Sequence, residues 1–194
     1  EAAAVPLGGW NALHFLRRAN IQAGEKVLVN GAGGSIGTFG VQIAKAMGAE
    51  VSAIDSGLKQ DMLRSIGVDH FFDYTQEGFP ECSESYDVIL DMVASSSYSK
   101  CVKALKPGGR YLLANPRISD MLRSVWTSKF TNKTAVVAFA GETEEELLAL
   151  KAMIEEGRLK SVVDKIFPMA QVAEAQRRVE TEQRLGTIVL AIGE

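Results

Sequence analysis

Val27-Leu-Val-Asn-Gly-Ala-Gly-Gly-Ser-Ile-Gly37, carried on through Gly48 to Val51-Ser-Ala-Ile-Asp55, decides the fold. Lys26–Asn30 is a short apolar run of the kind that forms a buried parallel strand. A glycine cluster follows, and then Ile36, Gly40, Ile43, Ala44 and Met47 fall at helical spacing. Gly48 ends that helix, Val51–Ile54 reads as a second strand, and Asp55 stands at its carboxyl end. This order suits a dinucleotide. The turn brings backbone N–H groups to a pyrophosphate at a helix N-terminus, where the dipole favours negative charge. An acid after the second strand can accept hydrogen bonds from a ribose diol.

A strict G-x-G-x-x-G beginning at Gly31 fails at Ile36, but one residue later the chain reads Ala32-x-Gly34-x-x-Gly37. Alanine suits the first place if its φ stays negative, leaving Gly34 and Gly37 for close approach and close packing. A glycine motif alone is weak. Between a strand and a helix, with an acid after the next strand, it is strong.

The 194 residues are enough to bury a real core, and a net charge of −3 with no dense Lys/Arg run argues against a nucleic-acid partner. No apolar stretch is long enough for a membrane span, and the N-terminus has no basic leader, so a cytoplasmic chain is expected. The two cysteines, Cys82 and Cys101, lie far apart; Cys101 shares a helical face with Tyr98, Val102 and Leu105 and reads as core. His14 and His70 are isolated, and no His/Cys/Asp/Glu set has zinc spacing, so no metal is expected. The chain opens Glu1-Ala-Ala-Ala without a methionine, which suggests a piece of a longer protein.

Strand and helix patterns alternate onward. Helix is expected from Pro6 to Arg18, over Leu58–Ile66, after Ser95–Ser97 as far as Pro107, and over Ser119–Phe130. Strands are expected at His70–Tyr74, at Tyr86–Leu90 ending in Asp91, at Arg110–Ala114 and at Lys133–Phe139. Thr143 and Glu146 make a capping box for a helix through Glu156. The whole reads as an α/β doubly wound parallel sheet over residues 1–159, a Rossmann fold. Residues 160–194 break the rhythm with a strand near Val162–Phe167, a helix over 169–180 and a strand at Thr187–Ile192.

Whole phrases, Leu63-Arg-Ser-Ile-Gly-Val-Asp-His70, Asp73-Tyr-Thr75, Tyr86-Asp-Val-Ile-Leu-Asp91, Leu105-Lys-Pro-Gly-Gly-Arg110 and Gly186-Thr-Ile-Val-Leu190, resemble the medium-chain dehydrogenase/reductases. The branch most resembled is the zinc-free quinone oxidoreductase, or zeta-crystallin-like, group. That resemblance implies an NAD(P)H-dependent oxidoreductase reducing a quinone, enone or related carbonyl compound. It further implies a GroES-like catalytic lobe ahead of the nucleotide domain, with residues 160–194 returning to complete it, so that this chain by itself is expected to be inactive. A homodimer joined through strand 133–139 is implied as well. Asn11 stands where the family usually has threonine, and Thr187 where it usually has lysine.

Gly34, Ser35 and Ile36 are expected to offer N–H groups to the pyrophosphate, with Gly37 packing behind them. Asp55 would hold the ribose hydroxyls and favour NAD(H). The resemblance places Lys59 and Tyr74 where NADPH-using relatives contact a phosphate, and Ser56 could serve either cofactor, so NAD versus NADP stays open. The connections at the carboxyl edge nominate Met92, Val93 and Ala94, then Asn115, then Phe139 and Ala140, around the nicotinamide. No catalytic acid or base stands out. Two other readings remain. The same order of features resembles S-adenosylmethionine-dependent methyltransferases, with Lys160–Ile192 imitating their terminal antiparallel hairpin. The third is a non-catalytic dinucleotide-binding module.

Overall fold

The computed structural model describes residues 2–76, 78–79, 84–137 and 143–192. Helix α1 (Val5–Ala19) has Pro6 in its first turn, where a missing N–H costs nothing, and leads into strand β1 (Lys26–Asn30). Then follow α2 (Ser35–Ala46), β2 (Glu50–Asp55), α3 (Gln60–Ser65), β3 (His70–Asp73) and β4 (Tyr86–Asp91). A short 3-10 turn over Gly57–Lys59 precedes α3. The second half adds α4 (Tyr98–Ala104), β5 (Leu105–Leu113), α5 (Ile118–Phe130), β6 (Thr134–Val137) and α6 (Glu144–Glu155). Last come β7 (Val163–Pro168), a 3-10 turn over Met169–Gln171, α7 (Val172–Glu180) and β8 (Thr187–Ala191).

Strands β1 to β6 form one sheet in the order β3-β2-β1-β4-β5-β6, and every pairing in it is parallel. The order reverses between β1 and β4, which leaves a crevice above their carboxyl ends. Both faces of the sheet are covered. Val27, Val29, Val88, Leu90 and Leu112 face a core shared with Leu16, Phe39, Val41 and Leu150. Leu28, Ile89, Tyr111 and Leu113 alternate to the other face and pack with Tyr98, Cys101 and Leu105.

Several boundaries differ from expectation. β5 begins at Leu105 and takes in Pro107-Gly108-Gly109, but its register against β4 shifts between Tyr86 and Val88, so regular pairing starts at Arg110. Gly108 has φ +79°, and Pro107 has no N–H to donate, which explains the irregularity. β6 is described to Val137, so the remainder of the expected strand lies outside the described residues. The capping box of α6 is half formed. Thr143 Oγ1 accepts the Glu146 N–H at 3.3 Å, while the Glu146 carboxylate turns to α1, accepting from Trp10 Nε1 at 3.1 Å and meeting His14 Nδ1 at 3.0 Å.

β7 and β8 form a separate two-stranded sheet, and they are parallel. An antiparallel hairpin on the main sheet, which the methyltransferase reading required, is therefore not what Lys160–Ile192 builds. Hydrogen bonds tie this segment back to the main body. The Gly186 N–H donates to the Gly33 carbonyl at 2.9 Å. The Gln42 amide donates to the Lys160 carbonyl at 3.0 Å and accepts its N–H at 2.9 Å.

Candidate functional site

The crevice at the strand reversal opens into a cavity of about 930 Å³, within the range usual for cofactor sites. Its floor is the glycine turn. Gly31 has φ +81°, so it supplies the left-handed step of the turn, while Ala32 next to it is outside that region. A Cβ on Gly37 would stand 2.4 Å from the Gly31 carbonyl oxygen and 2.5 Å from that of Ala32, so only glycine lets α2 approach β1 this closely. Gly34 is the N-cap of α2, with φ −83° and no side-chain cap, and a Cβ there would meet nothing nearer than Arg184 Nη2 at 3.6 Å. The first turn of α2 thus presents its N–H end to the cavity with no side-chain cap on Gly34.

The remaining wall residues come from the carboxyl ends of the strands. Gly34, Ser35, Ile36, Gly37, Asp55, Tyr74, Met92, Val93, Ala94 and Asn115 all line the one cavity. Ser56 and Lys59 are not on its wall, and Phe139 and Ala140 lie outside the described residues. Lys59 is neither a solvated helix lysine nor open to the cavity. Its side chain is 2% exposed, with Nζ 2.9 Å from Asp55 Oδ1 and 3.2 Å from Glu182 Oε2. The Asp55 carboxylate also accepts the Gly33 N–H at 2.7 Å and the Ser56 N–H at 2.8 Å, so it is rigidly held at the foot of the cavity.

Asp91, at the end of β4, organises the far half. Its Oδ1 accepts from Asn30 Nδ2 at 2.9 Å and from the Val93 N–H at 3.0 Å. Its Oδ2 accepts the Tyr111 hydroxyl at 2.6 Å and the Ser96 hydroxyl, with Cys101 Sγ at 3.7 Å. Ser97 is the N-cap of α4 but makes no side-chain cap, and Ser96 spends its hydroxyl on Asp91 instead. The network fixes the connection that carries Met92, Val93 and Ala94. Burial and then the Asp91 charge push the Cys101 thiol up to about 12, and the same two causes raise Tyr111. Both side chains therefore stay protonated donors.

Sequence reasoning missed Glu182 and Arg184, which reach the cavity from the connection between α7 and β8. Arg184 Nε is buried with no hydrogen-bond partner among the described residues. A buried, unpartnered guanidinium nitrogen beside an uncapped helix N-terminus suits a phosphate-bearing ligand. Nothing in residues 160–194 pointed to this, because the contact depends on how the second sheet docks. Among the described residues no group of three or more His, Cys, Asp or Glu is placed to hold a metal ion. No helix among them is long and apolar enough to cross a membrane.

A parallel sheet in this order, with a glycine turn, an uncapped helix N-terminus and an acid after the second strand, defines a doubly wound Rossmann fold of the dinucleotide-binding class. Residues 66–190 match the family described as zinc-binding dehydrogenase. The chain belongs to that family, within the medium-chain dehydrogenase/reductase superfamily. It is 33% identical over 196 residues to the NADPH-dependent alkenal/one oxidoreductase, chloroplastic, of Arabidopsis thaliana, covering 98% of this chain and 46% of that protein. It is 31% identical over 195 residues to the 2-methylene-furan-3-one reductase of Solanum lycopersicum, again covering 98% of this chain and 46% of the relative. The quinone oxidoreductase of Coxiella burnetii superposes with a TM-score of 0.86 at 23% identity, over 99% of this chain and 60% of that one, a likeness of fold. The chain thus spans about half the length of these two curated relatives.

Proposed function

We propose that this chain binds NAD(H) or NADP(H) and forms the cofactor half of an oxidoreductase that passes hydride to a quinone, enone or related carbonyl substrate. The observation that carries this is the uncapped N-terminus of α2 opening into the crevice at the strand reversal. The names of the tomato and Arabidopsis relatives support the substrate class and a nicotinamide cofactor. The N–H groups of Gly34, Ser35 and Ile36 would hold the pyrophosphate, with the Arg184 guanidinium on its outer side. Asp55 would take the adenosine ribose, with Ser56 and Tyr74 nearby. Met92, Val93, Ala94 and Asn115 would border the nicotinamide, which would supply the hydride when bound. These groups would orient one face of the reacting ring and keep water from it.

On the same reading residues 160–194 complete a catalytic lobe, the enzyme works without zinc in the cytoplasm, and copies pair through the edge strand β6. Strand β6 supports the pairing, since among the described residues it ends the sheet order and has one backbone edge without a neighbouring strand. Calorimetry with NADH, NADPH and S-adenosylmethionine tests the central point. Micromolar binding of either nicotinamide is expected, and binding of S-adenosylmethionine alone would overturn it. Light scattering at high micromolar concentration should show a dimer.

A further inference from the structure

Glu182 places a second protein carboxylate, after Asp55, on the wall of the cavity. It lies in the connection between α7 and β8, with φ 55°. Its Oε2 is 3.2 Å from Lys59 Nζ and its Oε1 is 4.0 Å from Arg184 Nη2. Lys59 is therefore a buried ammonium held between two carboxylates of different character. Asp55 is 6% exposed and pinned by two backbone N–H groups, while Glu182 is 57% exposed at the mouth and makes its contact across 123 residues of chain. Of the two, Glu182 is the one a ligand can displace.

We propose that Glu182 is a specificity-determining residue: an internal anion that occupies Lys59 and Arg184 and biases the adenosine end of the site against a 2′-phosphate. This rests on the dinucleotide reading above. Asp55, Glu182, Lys59 and Arg184 together carry no net charge. A 2′-phosphate placed beside Asp55 adds about two negative charges to that balance and must either face both carboxylates or drive Glu182 away. The neutral ribose diol of NAD(H) meets no such opposition. Replacing Glu182 by glutamine leaves one net positive charge at this end of the cavity, at a residue 57% exposed and so able to accommodate the change.

Calorimetric titration of the chain and of Glu182→Gln, Glu182→Asp and Glu180→Gln with NADPH and NADH decides it. Glu180→Gln removes the same charge from the exposed end of α7, off the cavity wall. Glu182→Gln is expected to tighten NADPH about tenfold while moving NADH less than twofold. Glu182→Asp and Glu180→Gln should keep the parent ratio of the two affinities. If both cofactors bind and Glu182→Gln leaves their ratio unchanged, or Glu180→Gln shifts it equally, the role of Glu182 is overturned and the dinucleotide reading stands. If neither cofactor binds the parent chain or any variant, the dinucleotide reading falls, and the role of Glu182 with it.

Discussion

Gly34 and Gly37, three residues apart, require glycine for opposite reasons. A methyl group at Gly37 would be driven into two backbone carbonyls, whereas one at Gly34 has room and an ordinary φ. Gly37→Ala is expected to push α2 off β1 and lower stability by about 3 kcal/mol, read from the urea midpoint. Gly34→Ala should melt with the parent chain yet lose about tenfold in dinucleotide affinity, because its methyl fills the space a phosphate would take. Equal effects on melting would mean that the floor of the cavity is built differently. The motif was legible in sequence as a set of glycines. Which of them tolerates a side chain was not, since that depends on the carbonyls of Gly31 and Ala32 lying across the turn. The left-handed step, too, belongs to Gly31, one residue ahead of the motif register.

Between elements, the join of α1 to α6 turns on Glu146, a residue the sequence assigns to capping. Its carboxylate is 9% exposed and serves Trp10 and His14, and His14 Nε2 is already buried without a partner among the described residues. Glu146→Ala should cost about 2 kcal/mol by leaving the Trp10 N–H and the His14 ring without an acceptor. Denaturant unfolding of Glu146→Ala beside Trp10→Phe would show the coupling, since the double variant should cost less than the sum. Helices and strands of this chain were legible because a buried parallel strand such as Val27–Val29 is uniformly apolar and the helices keep one apolar face. The burial of Lys59 was not legible. A lysine one turn after a strand looks solvated unless the partner carboxylate is known, and Glu182 is remote in sequence.

For the molecule as a whole, acid is the condition that weakens it. Asp69, Asp73 and Asp87 all titrate below the ordinary carboxylate range. Partial burial works against this at Asp69 and Asp87, but Lys45 with the Val51 N–H, and Lys106 with the Lys26 N–H, outweigh it. At Asp73 the Thr75 hydroxyl and N–H are the cause. Their stabilisation is complete above the unfolded carboxylate value of about 3.9 and is lost as pH falls through the lower folded values. Melting temperature should hold between pH 5 and 8 with respect to these groups and drop steeply below pH 4. Asp87→Asn should flatten that drop.

The two-stranded sheet of β7 and β8 has one further consequence. β1 and β4 lie at the centre of six strands with helices on both faces, whereas among the described residues each strand of the small sheet has a single partner and Ile166 is 59% exposed. Two strands alone are only marginally held. In deuterated water the amides of β7 and β8 should exchange within minutes, while those of β1 and β4 persist until the chain opens globally. A dinucleotide seated against Arg184 would slow exchange in residues 181–187 first. The exchange map would thus report ligand at a distance from the glycine turn, through the Gly186–Gly33 bond that ties the small sheet to the cavity floor.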